Sequence, residues 1–398
     1  MLAVLHPAKG GRDGSEAYGH RRVAGPCPGG FPVPEGRVYL QSAGAGLAFP
    51  GAAAAAGQYY VDVAALGCDA QPLWHRTADS AKERVARLLD VPGEDVGFFR
   101  NTSEIINLVA NSVQWRRGDE VIFLSDEYPC NVLPWGRAEA AGATVIPVDA
   151  GDARQRQQRL LDALSPRTRV MSVSHVHPWT GVRVDLIALG QACRDVGAML
   201  IVDGIQALGA IPVDLSYVDV YGAGVFKWLM SGFGTAIGVF RERARSMLTP
   251  AFRSYGNPLP STSFQYAAPN IPGLYVLAAS LAYLEELGWE QIFDRVDALA
   301  SYVLEALDER AIAAITPRDA HAGIVSIGVH DSAAVVEGLR QRGVSVSDKM
   351  GRVIVSPHFY NTTEHIDRFA DALRAVLEAR SNSVQKEMNV PEEVRADG

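Results

Sequence analysis

No run of eighteen apolar residues occurs in the 398-residue chain, so no helix is expected to cross a membrane. The opening stretch Met1-Leu2-Ala3-Val4-Leu5 is too short an apolar segment for a secretory signal. Cysteine is scarce. Cys27, Cys68, Cys130 and Cys193 lie far apart and form neither a Cys-x-x-Cys pair nor a zinc spacing, so they read as reduced thiols of a cytoplasmic protein. His175 and His177 stand two apart, but no third ligand follows at useful spacing, and no metal is expected. There is no lysine- or arginine-rich run, and net charge is −8 with pI about 5.6. A nucleic-acid groove and an anionic membrane surface are therefore not expected partners.

What is present is ordinary globular composition, 48% hydrophobic and 21% charged, with length for one large domain and a smaller one. Residues 1–36, rich in Gly, Pro and Arg, read as a loose arm. A short strand is expected at Arg37–Leu40, and helices over 51–66 and Ala78–Leu89. From Val96 onward, apolar strands alternate with helical stretches. The strands are Val96–Phe99, Val121–Leu124, Thr144–Val148, Val170–Ser174, Met199–Val202, Val218–Tyr221 and Thr235–Phe240. The helices between them are Glu104–Gln114, Val132–Ala141, Gln155–Leu164 and Asp185–Val196. This alternation predicts an α/β fold whose mostly parallel sheet is covered on both faces. After the long helix Pro269–Leu287 the pattern changes, which predicts a small C-terminal α+β domain. The expected division is a large domain over 37–290, a small one over 291–380 and a disordered polar tail over 381–398.

The chemistry concentrates at strand ends. Asp203 directly follows Met199-Leu200-Ile201-Val202, where a carboxylate is costly to bury without a cationic partner. Gln206 comes three residues later, and Lys227 lies in the apolar run Val225-Phe226-Lys227-Trp228-Leu229. These are the parts needed to hold pyridoxal phosphate. The lysine amine forms a Schiff base with its aldehyde, the aspartate keeps the pyridine nitrogen protonated, and the glutamine amide donates to the phenolate oxygen. Taken singly, Asp203 also reads as an N-cap and Lys227 as a snorkelling lysine. Asn101-Thr102-Ser103-Glu104 reads either as a plain capping box or as a phosphate site, with the Thr102 and Ser103 hydroxyls and the first helical amides converging on one anion. Tyr128 either stacks on a planar cofactor or is a half-buried loop tyrosine. Cys130 reads as a structural thiol. His175 reads as a packed residue, and His177 or Trp179 as pocket lining.

Together these segments resemble the class V aminotransferase type of pyridoxal phosphate enzyme, the group holding cysteine desulfurases and isopenicillin N epimerase-like proteins. The resemblance runs from about residue 38 to 377. It is carried by Tyr39-Leu40-Gln41-Ser42-Ala43-Gly44, Asn101–Ala110, Glu127-Tyr128-Pro129-Cys130-Asn131, Val202–Gly209, Lys227-Trp228-Leu229 and Ser356-Pro357-His358-Phe359-Tyr360-Asn361. It implies fold-type I architecture and a homodimer with active sites at the interface. It assigns Lys227 the internal aldimine, Asp203 the pyridine nitrogen, Gln206 the phenolate oxygen, Thr102 and Ser103 the phosphate, and Tyr128 the ring. Ala43 and Gly44 would approach the substrate.

The departures matter equally. Gly224 and Phe226 stand where the family often has phosphate-binding hydroxyl and imidazole groups, and Ala268 stands where a partner-subunit threonine is usual. Tyr255 and Asn257 are candidate substitutes. Ile354 occupies the position of the arginine that clamps the substrate α-carboxylate; Arg352, two residues earlier on the same strand face, is the candidate replacement. No cysteine follows Cys193, which argues against persulfide chemistry. The expectation is an enzyme that acts on an amino-acid-like substrate through an external aldimine. Lyase or decarboxylating chemistry on a cysteine conjugate in antibiotic metabolism is favoured. A transaminase or epimerase of the same family and a degenerate ligand-binding homologue are the alternatives.

Overall fold

The computed structural model describes residues 31, 36–259 and 261–388, with backbone alone for 382–388. The expected N-terminal arm lies outside the described residues except for Phe31 and Gly36. Phe31 is buried, stacked on Tyr360 at 4.5 Å between ring centroids.

Twelve strands occur among the described residues. They are β1 (Val38–Tyr39), β2 (Val96–Phe99), β3 (Glu120–Leu124), β4 (Thr144–Val148), β5 (Thr168–Ser174), β6 (Met199–Asp203), β7 (Val220–Gly224), β8 (Ala236–Phe240), β9 (Val325–Gly328), β10 (Val344–Ser345), β11 (Ser347–Lys349) and β12 (Arg352–Val355). Seven form one sheet in the order β2-β8-β7-β6-β5-β3-β4. Only β8 runs antiparallel to its neighbours. Strands β3 and β6–β8 are buried at every position, as their apolar runs require, and the charged residues Glu120, opening β3, and Asp203, closing β6, are buried with them. Alternate residues supply two separate cores: Leu200 and Val202 face one, Met199 and Ile201 the other. Helices Thr102–Ser112, Leu186–Val196 and Ile271–Leu287 are among those that cover the sheet.

The expected β-strands and crossover helices are present with ends moved by a few residues, except that Val132–Ala141 is a 3-10 turn, Leu133–Trp135, followed by a short helix, Gly136–Ala140. Helix Gln71–Leu89 begins seven residues before the expected Ala78, because Pro72 suits a first helical turn. The last helix, Thr363–Met388, runs past residue 381, where a disordered tail was expected. No Gly or Pro interrupts the chain between Thr363 and Pro391, so nothing in the backbone stops the helix there. Residues 389–398 lie outside the described residues.

A third core packs Leu299, Val303 and Leu307 against Val325, Ile327, Val353, Val355, Phe369 and Leu373, and Val38 and Leu40 join it. Strand β1 pairs with β10, so the start of the described chain is stitched to its C-terminal part. The change of core falls between Val296 and Leu299, inside helix Trp289–Asp308.

Asp219 is 1% exposed and anchors the front of β7. Its carboxylate takes both oxygens' bonds from Arg243 at 2.7 Å and accepts from the Leu200 amide at 2.8 Å. Arg243→Ala leaves that charge buried without its cation, and is expected to destabilise the fold by about 3 kcal/mol or more. Chemical denaturation measures this; an unchanged midpoint would contradict the structural role given to the pair.

Candidate active site

Parallel α/β sheets place ligands beyond the carboxyl ends of their strands. Here that edge gathers Asp203 at the end of β6, Ser174 paired beside it at the end of β5, Cys130 and Tyr128 from the turn after β3, and Lys227 just after β7. Helix Thr102–Ser112 points its N-terminus at the same place. The residues enclose a cavity of about 310 Å³ lined by Thr102, Ser103, Tyr128, Asp203, Gln206 and Lys227, with Phe226 and Phe233 on one side.

Asp203 is 3% exposed. Its Oδ1 accepts from the Ile205 amide at 2.9 Å and its Oδ2 from the Cys130 thiol at 3.3 Å. Burial pushes its carboxyl above the ordinary range, against those two donors and the positive Lys227. Among the described residues no cation reaches it at ion-pair distance. A protonated pyridine nitrogen is a cation of the right shape for this pocket, and the donor set therefore fits a pyridoxal ring.

Lys227 shows the mirror image. Burial of its amine lowers its pKa from 10.5 to about 8, against the pull of Asp203, and the nearby positive Lys349 lowers it further. The chain passes close behind it: the Gly46 amide donates to the Phe226 carbonyl at 3.0 Å, and a Cβ at Gly46 would collide with the Lys227 carbonyl oxygen. Only glycine permits that approach.

Gln206 is oriented by its neighbours. Its Oε1 accepts from Trp228 Nε1 at 3.2 Å, which turns Nε2 toward the Ala43 carbonyl at 3.1 Å. One of the two amide hydrogens remains for a ligand. At the helix N-terminus, Asn101 accepts from the Glu104 amide at 2.8 Å, and Glu104 reaches back to the Arg100 amide at 2.7 Å. Thr102 Oγ1 accepts from the Gly224 amide at 3.0 Å, so its own hydrogen is free to donate. The exposed Ser103 hydroxyl lines the same cavity. A capping asparagine and an anion-binding helix start are thus compatible here.

Tyr128 is 44% exposed, lines the cavity and packs on Trp179 with ring centroids 5.5 Å apart. The turn carrying it is held from below by buried Glu127, which accepts from the Ser174 amide and hydroxyl at 2.8 and 2.7 Å and from Asn131 at 3.1 Å. Cys130 also lines the cavity. Burial, followed by the adjacent Asp203, pushes its thiol far up, so it stays protonated.

Several expected residues lie elsewhere. Ala43 sits behind Gln206 rather than in the cavity wall, and Gly44 lies near Ser347. Arg352 does not line the cavity. It hydrogen-bonds the Trp179 carbonyl at 3.2 Å and lines a neighbouring cavity with Asp126 and Thr180. A backbone carbonyl and a long side chain keep it at the rim. Ile354, at the usual arginine position, is buried in the main core. His177 does not line the cavity: its ring bonds Thr180 and the Asp126 carbonyl, and burial lowers its pKa. Asn257 cannot act as a phosphate ligand, because its amide is consumed by Ser254, Phe252 and Ser263. Ser174, Ile205, Pro178 and Phe233 were missed as lining. For Ser174 a signal existed, a polar residue ending a strand next to Asp203. For the exposed Phe233, set on a glycine-flanked loop, none did.

This is the pocket of a pyridoxal phosphate-dependent enzyme built on a mostly parallel, doubly covered sheet. Comparison with known proteins agrees. The sequence profile described as aminotransferase class-V matches residues 38–380, and the chain belongs to that family. A probable cysteine desulfurase of Methanothermobacter thermautotrophicus is 26% identical over 342 residues, covering 76% of this chain and 84% of the relative. The isopenicillin N epimerase of Amycolatopsis lactamdurans is 30% identical over 336 residues, covering 74% and 84%. Among solved structures, the cystine C–S lyase in complex with its product cysteine persulfide superposes with a TM-score of 0.79 at 20% identity, covering 85% of this chain and 97% of that one. The fold is fold-type I, and the cofactor of the family is pyridoxal phosphate.

Proposed function

We propose that this protein performs lyase or decarboxylating chemistry on a cysteine-conjugate-type amino acid, in specialised metabolism of the kind that tailors antibiotics. The observation that carries it is the state of Cys130. Among the described residues it is the only cysteine lining the cavity, its thiol donates a hydrogen bond to Asp203, and burial holds it in the thiol form. A sulfur acceptor needs a thiolate, so this site is unsuited to keep a persulfide, unlike the desulfurases it resembles. Ile354 in place of a carboxylate-clamping arginine also separates it from an ordinary transaminase. An epimerase is the second reading, favoured by the 30% identical isopenicillin N epimerase.

Bound pyridoxal phosphate supplies an aldehyde that condenses with amines and a ring that draws electrons from Cα. In this reading Lys227 would hold the cofactor through its amine and, when that amine is free, would carry the proton to or from the substrate carbon. Asp203 would hold the positive ring nitrogen, Gln206 would donate to the ring hydroxyl oxygen, Thr102 and Ser103 would receive the phosphate, and Tyr128 would cover the ring. We further propose a cytoplasmic homodimer. Helix Ala52–Leu66 buries no residue, and Tyr60, Val61 and Leu66 stand exposed on it, which supports a covering partner subunit.

Because burial brings Lys227 to about 8, cofactor-free protein is expected to capture pyridoxal phosphate faster as pH rises toward 8 and to level off above it. The neutral amine is the reacting form, so a depressed pKa moves the plateau down. A capture rate still climbing near pH 10 would contradict the enclosed site. The reaction itself is tested by incubating holoenzyme with S-alkylcysteines. Released thiol and keto acid, or carbon dioxide, support the proposal. Inverted amino acid alone would give the epimerase, pyridoxamine with a keto acid the transaminase, and a protein persulfide would overturn the argument from Cys130. No product from any conjugate would favour a non-catalytic homologue.

A further inference from the structure

We infer that Lys349 and Arg352, opposite each other at the tip of the β11–β12 hairpin, form a two-cation clasp for a carboxylate of the substrate. The inference rests on reading the neighbouring cavity as the cofactor site. Strands β11 and β12 pair antiparallel with Lys349 opposite Arg352 and Ser347 opposite Ile354. Directly paired residues share a face. That face looks toward the site: Ile354 enters the main core, and Ser347 lies beside Gly44, next to the Ala43 carbonyl that holds Gln206. Asp348 and Val353 take the other face, where Asp348 accepts from Ser332 and Val353 joins the C-terminal core.

Like charges set directly opposite are unfavourable in a sheet, and nothing nearby neutralises these two. Among the described residues neither Lys349 nor Arg352 meets a carboxylate at ion-pair distance. The nearby acids are committed elsewhere: Asp126 takes both nitrogens of buried Arg156 at 2.7 and 2.8 Å, and Asp152 caps the Arg154 and Gln155 amides. The turn joining the strands is the two residues Met350 and Gly351, with φ of 52° and 72°, a tight connection that holds the flanking pair in place. On one side Arg352 bonds the carbonyl of Trp179, whose ring packs on Tyr128 in the cavity wall. On the other, the charge of Lys349 is felt at Lys227.

An unneutralised cation pair at the rim of a site for amino acids is complementary to a carboxylate. It stands one strand-face step outward from Ile354, so the group it takes is either the α-carboxylate reached by long side chains or a second carboxylate further out. Chemistry at both is the same, and probes separate them.

Holoenzyme is titrated with L-alanine, L-glutamate and ethylamine, by calorimetry and by the change in the visible spectrum. The proteins are wild type, Lys349→Met, Arg352→Gln and the double variant, with Lys349→Arg as the charge-conserving control. The double variant is expected to bind L-alanine about tenfold or more weakly, with ethylamine unchanged and the control near wild type; this identifies the α-carboxylate. A loss confined to L-glutamate identifies the outer carboxylate. Unchanged affinities, an equal loss for ethylamine, or no binding of either amino acid by wild type would overturn the clasp. If wild type shows no visible band yet its calorimetric binding of L-alanine falls in the variants, the cofactor reading fails and the clasp stands.

Discussion

Lys227→Ala is expected to abolish the visible band of the bound cofactor and to lower turnover by about 1,000-fold or more. The reason is that, in the proposed function, one side chain serves two steps. It would anchor the cofactor covalently and then move a proton at the substrate carbon, and positioned proton transfer alone contributes on the order of 100- to 10,000-fold. The environment of the amine already suits both. Burial makes the neutral form accessible near pH 8, while buried Asp203 is the counter-charge that limits the fall. The variant should fold, because among the described residues the Lys227 amine makes no hydrogen bond or ion pair, and its carbonyl contacts with Met230 survive the change. A purified Lys227→Ala protein that keeps the wild-type band after dialysis, or wild-type turnover, would remove the residue from its role.

Asp203→Ala is expected to weaken cofactor retention and to cut turnover by roughly 30- to 5,000-fold. Removing one partner of a buried charge pair costs about 2–5 kcal/mol, and each 1.4 kcal/mol is a factor of ten. Among the described residues the carboxylate has two donors, the Ile205 amide and the Cys130 thiol, and no cation at ion-pair distance. The Asp203→Asn variant separates shape from charge. It keeps an acceptor for Ile205 but cannot hold a positive ring nitrogen, so it should also lose turnover while retaining stability. Steady-state kinetics with melting curves measures this; an Asp203→Asn protein with wild-type rates would contradict the role of the charge.

The sheet was legible because its strands are long apolar runs bounded by polar strand ends, as at Met199–Asp203. The site's central members were legible for the same reason: a carboxylate or lysine inside such a run has few physical reasons to be there. Asn101 through Glu104 carried its own capping pattern; the structure shows the bond from the Glu104 amide to Asn101, while the Glu104 carboxylate reaches one residue further back, to the Arg100 amide. What the sequence did not show is whatever depends on contacts between distant segments. The fusion of β1 with β10, the placement of Ala43 behind Gln206, and the approach of Gly46 to Lys227 join residues far apart in the chain. The place of Arg352 at the rim was not legible, because strand periodicity gives the face a residue shares but not how far along the strand a cavity extends. Lys349 was overlooked because β11 is three residues long and carries no apolar signal. The turn Met350-Gly351, rather than hydrophobic pattern, defines that hairpin.

The central claim is that Lys227 holds pyridoxal phosphate against Asp203, and one measurement tests it most directly. Purified protein is examined by visible absorbance, reduced with borohydride, digested and mapped. The chain holds only five lysines, Lys9, Lys82, Lys227, Lys349 and Lys386, so the assignment has few rivals. A band near roughly 410–430 nm that disappears on reduction, with the pyridoxyl adduct on the peptide containing Lys227, is the predicted result. An adduct on another lysine, or no band even after pyridoxal phosphate is added, would contradict it.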